Sequence, residues 1–322
     1  EYKSGWKITD IFPIHSVGIM TGQDKLTIQD TPQKVAEIVE DLILLPEAHF
    51  RKKHNLVKDK RQWALKKAVY DLKDHGLNRN MTKSELQHQI ARNVVSILYR
   101  PFDKRYTFYT GKSRGFHERP RGKAMKHMIK GDNLGLIISR NSRPAPWRDI
   151  QITEEIIELG VMATRPGNNA PIFPLFLFKE TKNGFIRKVN FSKEFKRFIE
   201  EKFSANNKPS AKDIVFYIYA MLHSKEYRKR YENFLKIDFP RIPFSRRSDL
   251  FYELREIGRE LIDLHLMKSE RLSEHNVRLL GNGNDTCITI KRLHYTSNNR
   301  IRINEKQYFE GVPRKVYEFY IG

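Results

Sequence analysis

Cysteine is almost missing: Cys287 is the only one in 322 residues. A disulfide scaffold and a cysteine-based zinc site are therefore excluded, and a reducing cytosol fits. Long apolar runs are missing as well. None approaches the ~18 to 20 residues of a membrane-spanning helix, so a transmembrane protein is excluded. No Pro-Pro occurs. The Asp- or Asn-Pro-Pro-Tyr element with which an amino-methyltransferase holds a flipped base is thus lacking, and no catalytic residue of that kind is expected here. The eleven histidines form no H-x-x-x-H or H-E-x-x-H pattern, so no metal site is read from them. Gly111-Lys112-Ser113 looks like the end of a phosphate-binding loop, but that loop's first glycine would fall at Tyr106. The start, Glu1-Tyr2-Lys3-Ser4-Gly5-Trp6, has neither an initiator methionine nor the apolar run of a secretory leader, and reads as a piece of something longer.

Acidic residues are scarce. Asp and Glu number 38 against 60 Lys and Arg, a net charge of +22, while hydrophobic residues at 39% are enough for a core. Such a surplus on a folded chain points to a polyanion. Between Tyr99 and Lys130, ten Lys or Arg stand against two acids, Asp103 and Glu118, a local net of +8. Next comes Ser139-Arg140-Asn141-Ser142-Arg143-Pro144-Ala145-Pro146-Trp147-Arg148, with three arginines and no acid. The planar guanidinium suits phosphate oxygens and guanine edges. This interleaving of Arg, Asn and aromatics favours nucleic acid over a merely solvated basic face.

Local patterns predict a mixed α+β fold. Thr31-Pro32 is an N-cap with proline at the first helical position, followed by Val35, Ile38, Val39, Leu42 and Ile43 at helical spacing until Pro46. Leu65, Ala68, Val69 and Leu72 carry a second helix that Gly76 stops. Thr82 and Glu85 form a capping box ahead of Leu86, Ile90 and Val94. Thr107 to Tyr109, Leu134 to Ile138 and Ile172 to Phe178 are short β-rich runs separated by arginine-rich loops. Ser210 and Asp213 cap an apolar run, Ile214 to Leu222, that should be buried. Ser248 opens another helix through Leu264. Thr286 to Lys291 and Val316 to Ile321 read as strands.

Several blocks together resemble a known family. Ser16-Val17-Gly18-Ile19-Met20-Thr21-Gly22-Gln23-Asp24 is similar to the strand-turn that leads out of the methyltransferase domain in single-chain restriction–modification enzymes. Tyr99-Arg100-Pro101-Phe102-Asp103-Lys104-Arg105 resembles that family's Arg-Pro-Phe-Asp-x-Arg signature. Ile172 to Leu175, Asp213 to Ser224 with Tyr227-Arg228, Phe234 to Pro243, and Gly258 to Leu266 are similar to its further blocks. The family is the C-terminal specificity region of Type ISP restriction enzymes and related adenine-specific DNA methyltransferases of bacteria, which serve phage defence.

The resemblance implies a target-recognition domain: a mixed β-rich DNA-reading core flanked by helical segments. Residues 1–30 would exit an upstream methyltransferase domain and 31–97 form a helical spacer. DNA reading falls to 98–190, helical support to 191–280 and closing strands to 281–322, with the chain trimmed at both ends. The partners implied are double-stranded DNA and that upstream domain, with no membrane and a cytoplasmic, nucleoid-associated location. The piece itself would need no cofactor; the parent would use S-adenosylmethionine, with magnesium and ATP for forms that also cleave. Base readout is expected from Arg140, Asn141 and Arg143, with Trp147 either stacking on a base or serving as a core tryptophan. Phosphate contacts are expected from Arg100, Lys104, Arg105, Arg114, Arg119, Arg121, Lys123 and Lys126, although the Arg100–Arg105 block reads equally as a salt-bridged corner. Asn168, Asn169, Asn298, Asn299 and Arg300 form two further polar loops. The rival readings are a nuclease with a dispersed acidic metal site and an RNA-binding module; few paired exposed aromatics speak for the latter.

Overall fold

Helix ends are set by local side chains. The Thr31 hydroxyl accepts the Lys34 amide at 3.2 Å, and the helix Pro32–Leu44 buries Val35, Ile38, Val39, Leu42 and Ile43. Leu65–Asp74 buries Leu65, Ala68 and Leu72, together with Asp71. In Lys83–Ala91 both halves of the capping box form: Glu85 N–H donates to Thr82 Oγ1 at 3.3 Å, and Thr82 N–H to Glu85 Oε2 at 2.8 Å. Val94 does not extend this helix. It begins strand β2 (Val94–Arg100), where the β-branched pair Val94-Val95 suits a pleated surface. The helical cluster also takes in Phe108 and Phe116, so the expected boundary at residue 97 falls inside one hydrophobic core.

The computed structural model describes residues 2–318, apart from 141–146, 148–149, 163–168, 183, 204–206, 246, 283–292 and 297. They form two compact units, 1–266 and 267–322. In the first, a short strand β1 (Trp6–Lys7) pairs with β10 (Arg241–Ile242), and β2 pairs antiparallel with β3 (Asp103–Phe108) in the register Val94↔Phe108. The strand β6 (Ile156–Ile157) joins β2 in parallel. A second sheet has the order β5 (Ile150–Thr153), β4 (Gly135–Ile138), β7 (Ile172–Pro174), and every residue of it is buried. A hairpin, β8 (Phe176–Thr181) and β9 (Gly184–Val189), follows.

The helix Ala211–His223 has the expected capping box and packs on Ser248–His265. Its run from Ile214 to Leu222 is buried except for Phe216 and Met221, which are half-buried. The crossing depends on Gly258: a Cβ there would lie 1.9 Å from the Phe216 carbonyl oxygen. In the second unit four antiparallel strands run in the order β11 (Arg278–Gly281), β14 (Gln307–Glu310), β13 (Arg300–Arg302), β12 (His294–Thr296). Val316 and Tyr317, expected in a strand, lie instead in a helical turn, Arg314–Tyr317, started by Pro313, whose carbonyl accepts both of their amides. The strand expected over 286–291 lies outside the described residues.

Alanine at an exposed helical glycine normally stabilises by about 1 kcal/mol. At Gly258 the overpacked crossing should reverse the sign: Gly258→Ala should cost about 1–3 kcal/mol, read as a lower denaturant midpoint. An unchanged or higher midpoint would show that the two helices are not held at this distance.

Candidate nucleic-acid interface

Two of the sequence blocks meet in one corner. Gly18 lies against the backbone of residue 158, where a Cβ would come within 2.3 Å of the Glu158 carbonyl oxygen. Ile19 N–H donates to Ile157 O at 2.8 Å, and Leu159 N–H to Ile19 O at 2.9 Å. Asp24 accepts from the Thr21 hydroxyl and, at 3.0 Å, from the Tyr99 hydroxyl. Arg100 donates to Glu158 Oε2 at 2.7 Å, and Arg105 grips Asp103 through Nε and Nη2. Both guanidinium groups sit against the Tyr99 ring, 4.0 and 4.4 Å from its centroid. Lys104 is paired with Glu155 at 2.5 Å. Burial pushes the Glu158 carboxyl up, and hydrogen bonds from Arg100 and the Gly160 amide only partly offset this. Arg100, Lys104 and Arg105 thus have acidic partners, as a salt-bridged corner requires.

The remaining phosphate candidates gather on the next segment. Asp71 is fully buried, and its Oδ2 accepts from Thr110 Oγ1 at 2.7 Å and Phe116 N–H at 2.8 Å. Trp63 Nε1 donates to Phe116 O at 3.0 Å, and Tyr109 OH to Pro120 O at 3.1 Å. Arg119 exchanges backbone hydrogen bonds with Met20, which ties the segment to the 18–24 strand-turn. On this pinned backbone Arg114 and Arg119 are exposed, and the helical turn Gly122–Met125 buries Ala124 and Met125 while Lys123 and Lys126 face solvent. Arg114, Lys123 and Lys126 have no acidic partner among the described residues. Arg119 lies 3.5 Å from Glu118. Arg121 is half-buried and its Nε lacks a hydrogen-bond partner. Asp71 was not foreseen as an anchor; the signal was a carboxylate set beside Ala68 and Leu72 on an apolar helix face.

The acid-poor stretch connects β4 to β5, closed by the pair Ile138↔Ile150. Arg140 is 65% exposed and donates to Asp238 Oδ1 at 3.2 Å, while Lys7 pairs with the other oxygen at 2.5 Å. Burial raises the Asp238 carboxyl, but hydrogen bonds from Lys7, the Phe239 amide and Arg140 outweigh it and leave the group below its usual range. Trp147 corrects the stacking expectation. Its ring is 2% exposed and Nε1 donates to Ser139 O at 3.1 Å, so it closes the base of the loop from inside the core. Asn141 and Arg143 lie outside the described residues, as does Asn168; Asn169 is half-buried. In the second unit Asn298 and Asn299 are exposed, Asn299 accepts from the Tyr295 hydroxyl, and Arg300 is held by Glu310. Arg241 donates to Gly5 O and pins the N-terminal strand. Among the described residues no three His, Cys, Asp or Glu side chains converge as metal ligands would, and no helix is long and apolar enough to cross a membrane.

Three histidines, one buried and two half-buried, support these parts. His117 Nε2 donates to Thr107 Oγ1 at 2.8 Å, because that hydroxyl is already spent on Thr27 O, and burial lowers His117 to about 3. Burial, then nearby Arg228, lowers His265 to about 4; the same two causes with His265 lower His223 to about 2. His265 also packs edge-on to Phe102 of the corner.

A basic, anchored loop and turn, and an acid-poor connection between β4 and β5, both carried on an α+β framework, have the build of a nucleic-acid-reading module. Residues 10–322 match the family model described as the Type ISP C-terminal specificity domain, and the chain belongs to that family. Among curated proteins nothing matches. Three solved structures share the fold. They are a DrdV–DNA complex (20% identity, TM-score 0.63), a nuclease-deletion mutant of the Type ISP restriction–modification enzyme LlaGI with a DNA substrate mimic (22%, 0.61), and the ATP-dependent Type ISP enzyme LlaBIII bound to DNA (17%, 0.66). The matches cover 97%, 100% and 100% of this chain but only 30%, 29% and 20% of theirs.

The histidines set an acid limit. A histidine held below its ordinary 6.5 must take up a proton on unfolding in acid. Stability is therefore full above about pH 6.5 and falls as pH drops from there toward 4. His117 alone should give a slope of about 1.4 kcal/mol per pH unit in that window. His223 and His265 should add smaller shares, reduced by partial exposure. Denaturation midpoints at pH 7.5, 6 and 5 check this; a flat profile would mean that these rings are charged in the folded state.

Proposed function

We propose that this domain reads a short duplex DNA sequence for a restriction–modification enzyme. It would position a target adenine for N6-methylation by an upstream domain that uses S-adenosylmethionine. Magnesium and ATP would serve the parent where it also cleaves. The observation that carries the reading is the division of cations. Arg100, Lys104 and Arg105 are held by acids, whereas Arg114, Lys123 and Lys126 have no acidic partner among the described residues and stand on a backbone pinned from within. Cations presented in that way suit phosphates, which position a duplex without reading it. Base reading is assigned to the β4–β5 loop. Arg140 is the described arginine of that loop, and its exposed pairing with Asp238 is worth about 0–1 kcal/mol, so a guanine edge can displace it.

Two substitutions separate these roles. Arg140→Ala should cost about 1–3 kcal/mol on the preferred duplex and relax preference at one base position. Equal weakening on all sequences would reassign it to phosphate. Lys123→Ala or Lys126→Ala should weaken every duplex alike and lower the salt slope by about one. An unchanged slope would remove that lysine from the footprint.

A further inference from the structure

The hairpin β8–β9 is unusually exposed. Its base is fastened to the body: Asn133 Oδ1 accepts from Phe176 N–H and Asn133 Nδ2 donates to Phe176 O, both at 2.9 Å, and His127 Nδ1 accepts from Phe178 N–H at 3.0 Å. Beyond that point every described residue from Lys179 to Lys188 is exposed, on both faces of the ribbon. Six paired residues on each side, from Phe176↔Val189 to Thr181↔Gly184, give a ribbon about 20 Å long. A two-stranded ribbon of this kind gains little from its own packing. Yet near its tip Phe185 and Ile186 are 50% and 49% exposed, and the register directs them to opposite faces.

The charges around that tip are mostly positive. Lys179, Lys182, Arg187 and Lys188 stand against one acid, Glu180. Glu180 is already engaged by Lys130 at 3.4 Å, and the Lys130 ammonium also lies 4.7 Å from the Phe185 ring centroid. Lys130 follows Lys126 by one helical turn's worth of chain, so the ribbon adjoins the turn that carries Lys123 and Lys126, which have no acidic partner among the described residues. Apolar side chains near a tip, flanked by cations, match a sequence-independent contact with bent DNA.

We propose that the β8–β9 ribbon is a second DNA-binding element. Its tip enters the minor groove beside the recognition sequence and presses Phe185 from one face of the ribbon and Ile186 from the other against neighbouring base steps, while Lys179, Lys182 and Lys188 meet the flanking phosphates. This assignment rests on the duplex-binding reading given above. The contact kinks the duplex, because an apolar wedge in the minor groove partly unstacks the step and bends the helix toward the major groove.

The test uses the full chain and a duplex carrying donor and acceptor dyes at its ends. Wild type should bind and shorten the end-to-end distance. Phe185→Ala/Ile186→Ala should bind roughly tenfold more weakly, with the salt slope unchanged and the duplex left straighter. Lys182→Ala/Lys188→Ala should instead lower the slope by about two and weaken binding on all sequences. All four positions are exposed, so unchanged unfolding midpoints should confirm that the variants are folded. Wild-type affinity and bend in the apolar double variant would overturn the ribbon while leaving the duplex-binding reading intact. Failure of wild type itself to bind any duplex would overturn both.

Discussion

Asp71 has no exposure to solvent, and a carboxylate so placed is tolerable only when hydrogen bonds replace the water it has lost. The Thr110 hydroxyl and the Phe116 amide supply them at Oδ2, with His75 Nδ1 3.7 Å from Oδ1, and Gly115 lies so close that a Cβ would fall 2.0 Å from Asp71 Oδ2. The helix 65–74 thereby dictates the path of the chain around residue 115. Trp63 and the backbone exchange between Met20 and Arg119 fix the same segment from two other sides. Arg114, Arg119 and the Lys123–Lys126 turn leave the body where these contacts put them. Loss of the Asp71 hydrogen bonds would free the basic segment without removing a single positive charge.

The rest of the electrostatics follows a division of labour. In the motif that looks most like a ligand site, Arg100 to Arg105, the cations are paired with Glu158, Glu155 and Asp103, and the two arginines stack against Tyr99. The acid-poor loop between β4 and β5 is closed by Trp147 from below, and its first arginine is held by a carboxylate, Asp238, shared with Lys7. A rigid base with exchangeable outer contacts suits the reading role proposed for this loop, since affinity is lost when many side chains must be ordered on binding.

What depends on neighbours in sequence was legible. The caps at Thr31, Thr82 and Ser210, the stop at Gly76 and the buried run from Ile214 to Leu222 are encoded within a few residues of where they act. Val94 escaped because a helical spacing continued into a β-branched pair that a tertiary partner, β3, claimed. Val316 escaped because Pro313 starts a turn more strongly than the following aromatic run favours a strand. The candidate site was legible as a region. The roles of its members were less so, because pairing is a long-range property: Arg100 meets an acid 58 residues away, and Arg140 one 98 residues away. Trp147 carried no local sign that Ser139 would take its indole N–H. Of the β8–β9 ribbon only Phe176 to Phe178 fell within an expected β run, and exposure cannot be seen in an apolar pair such as Phe185-Ile186.

The central claim is sequence-specific duplex reading, and selection of bound duplexes from a random pool tests it most directly. The selection would be run with the parent chain at low and at roughly physiological salt. The account predicts an enriched motif of a few base pairs that survives the higher salt, because base-edge contacts persist when counterion release weakens. Binding that vanishes with salt and enriches no motif would contradict it, and would leave the basic surface as an electrostatic platform alone.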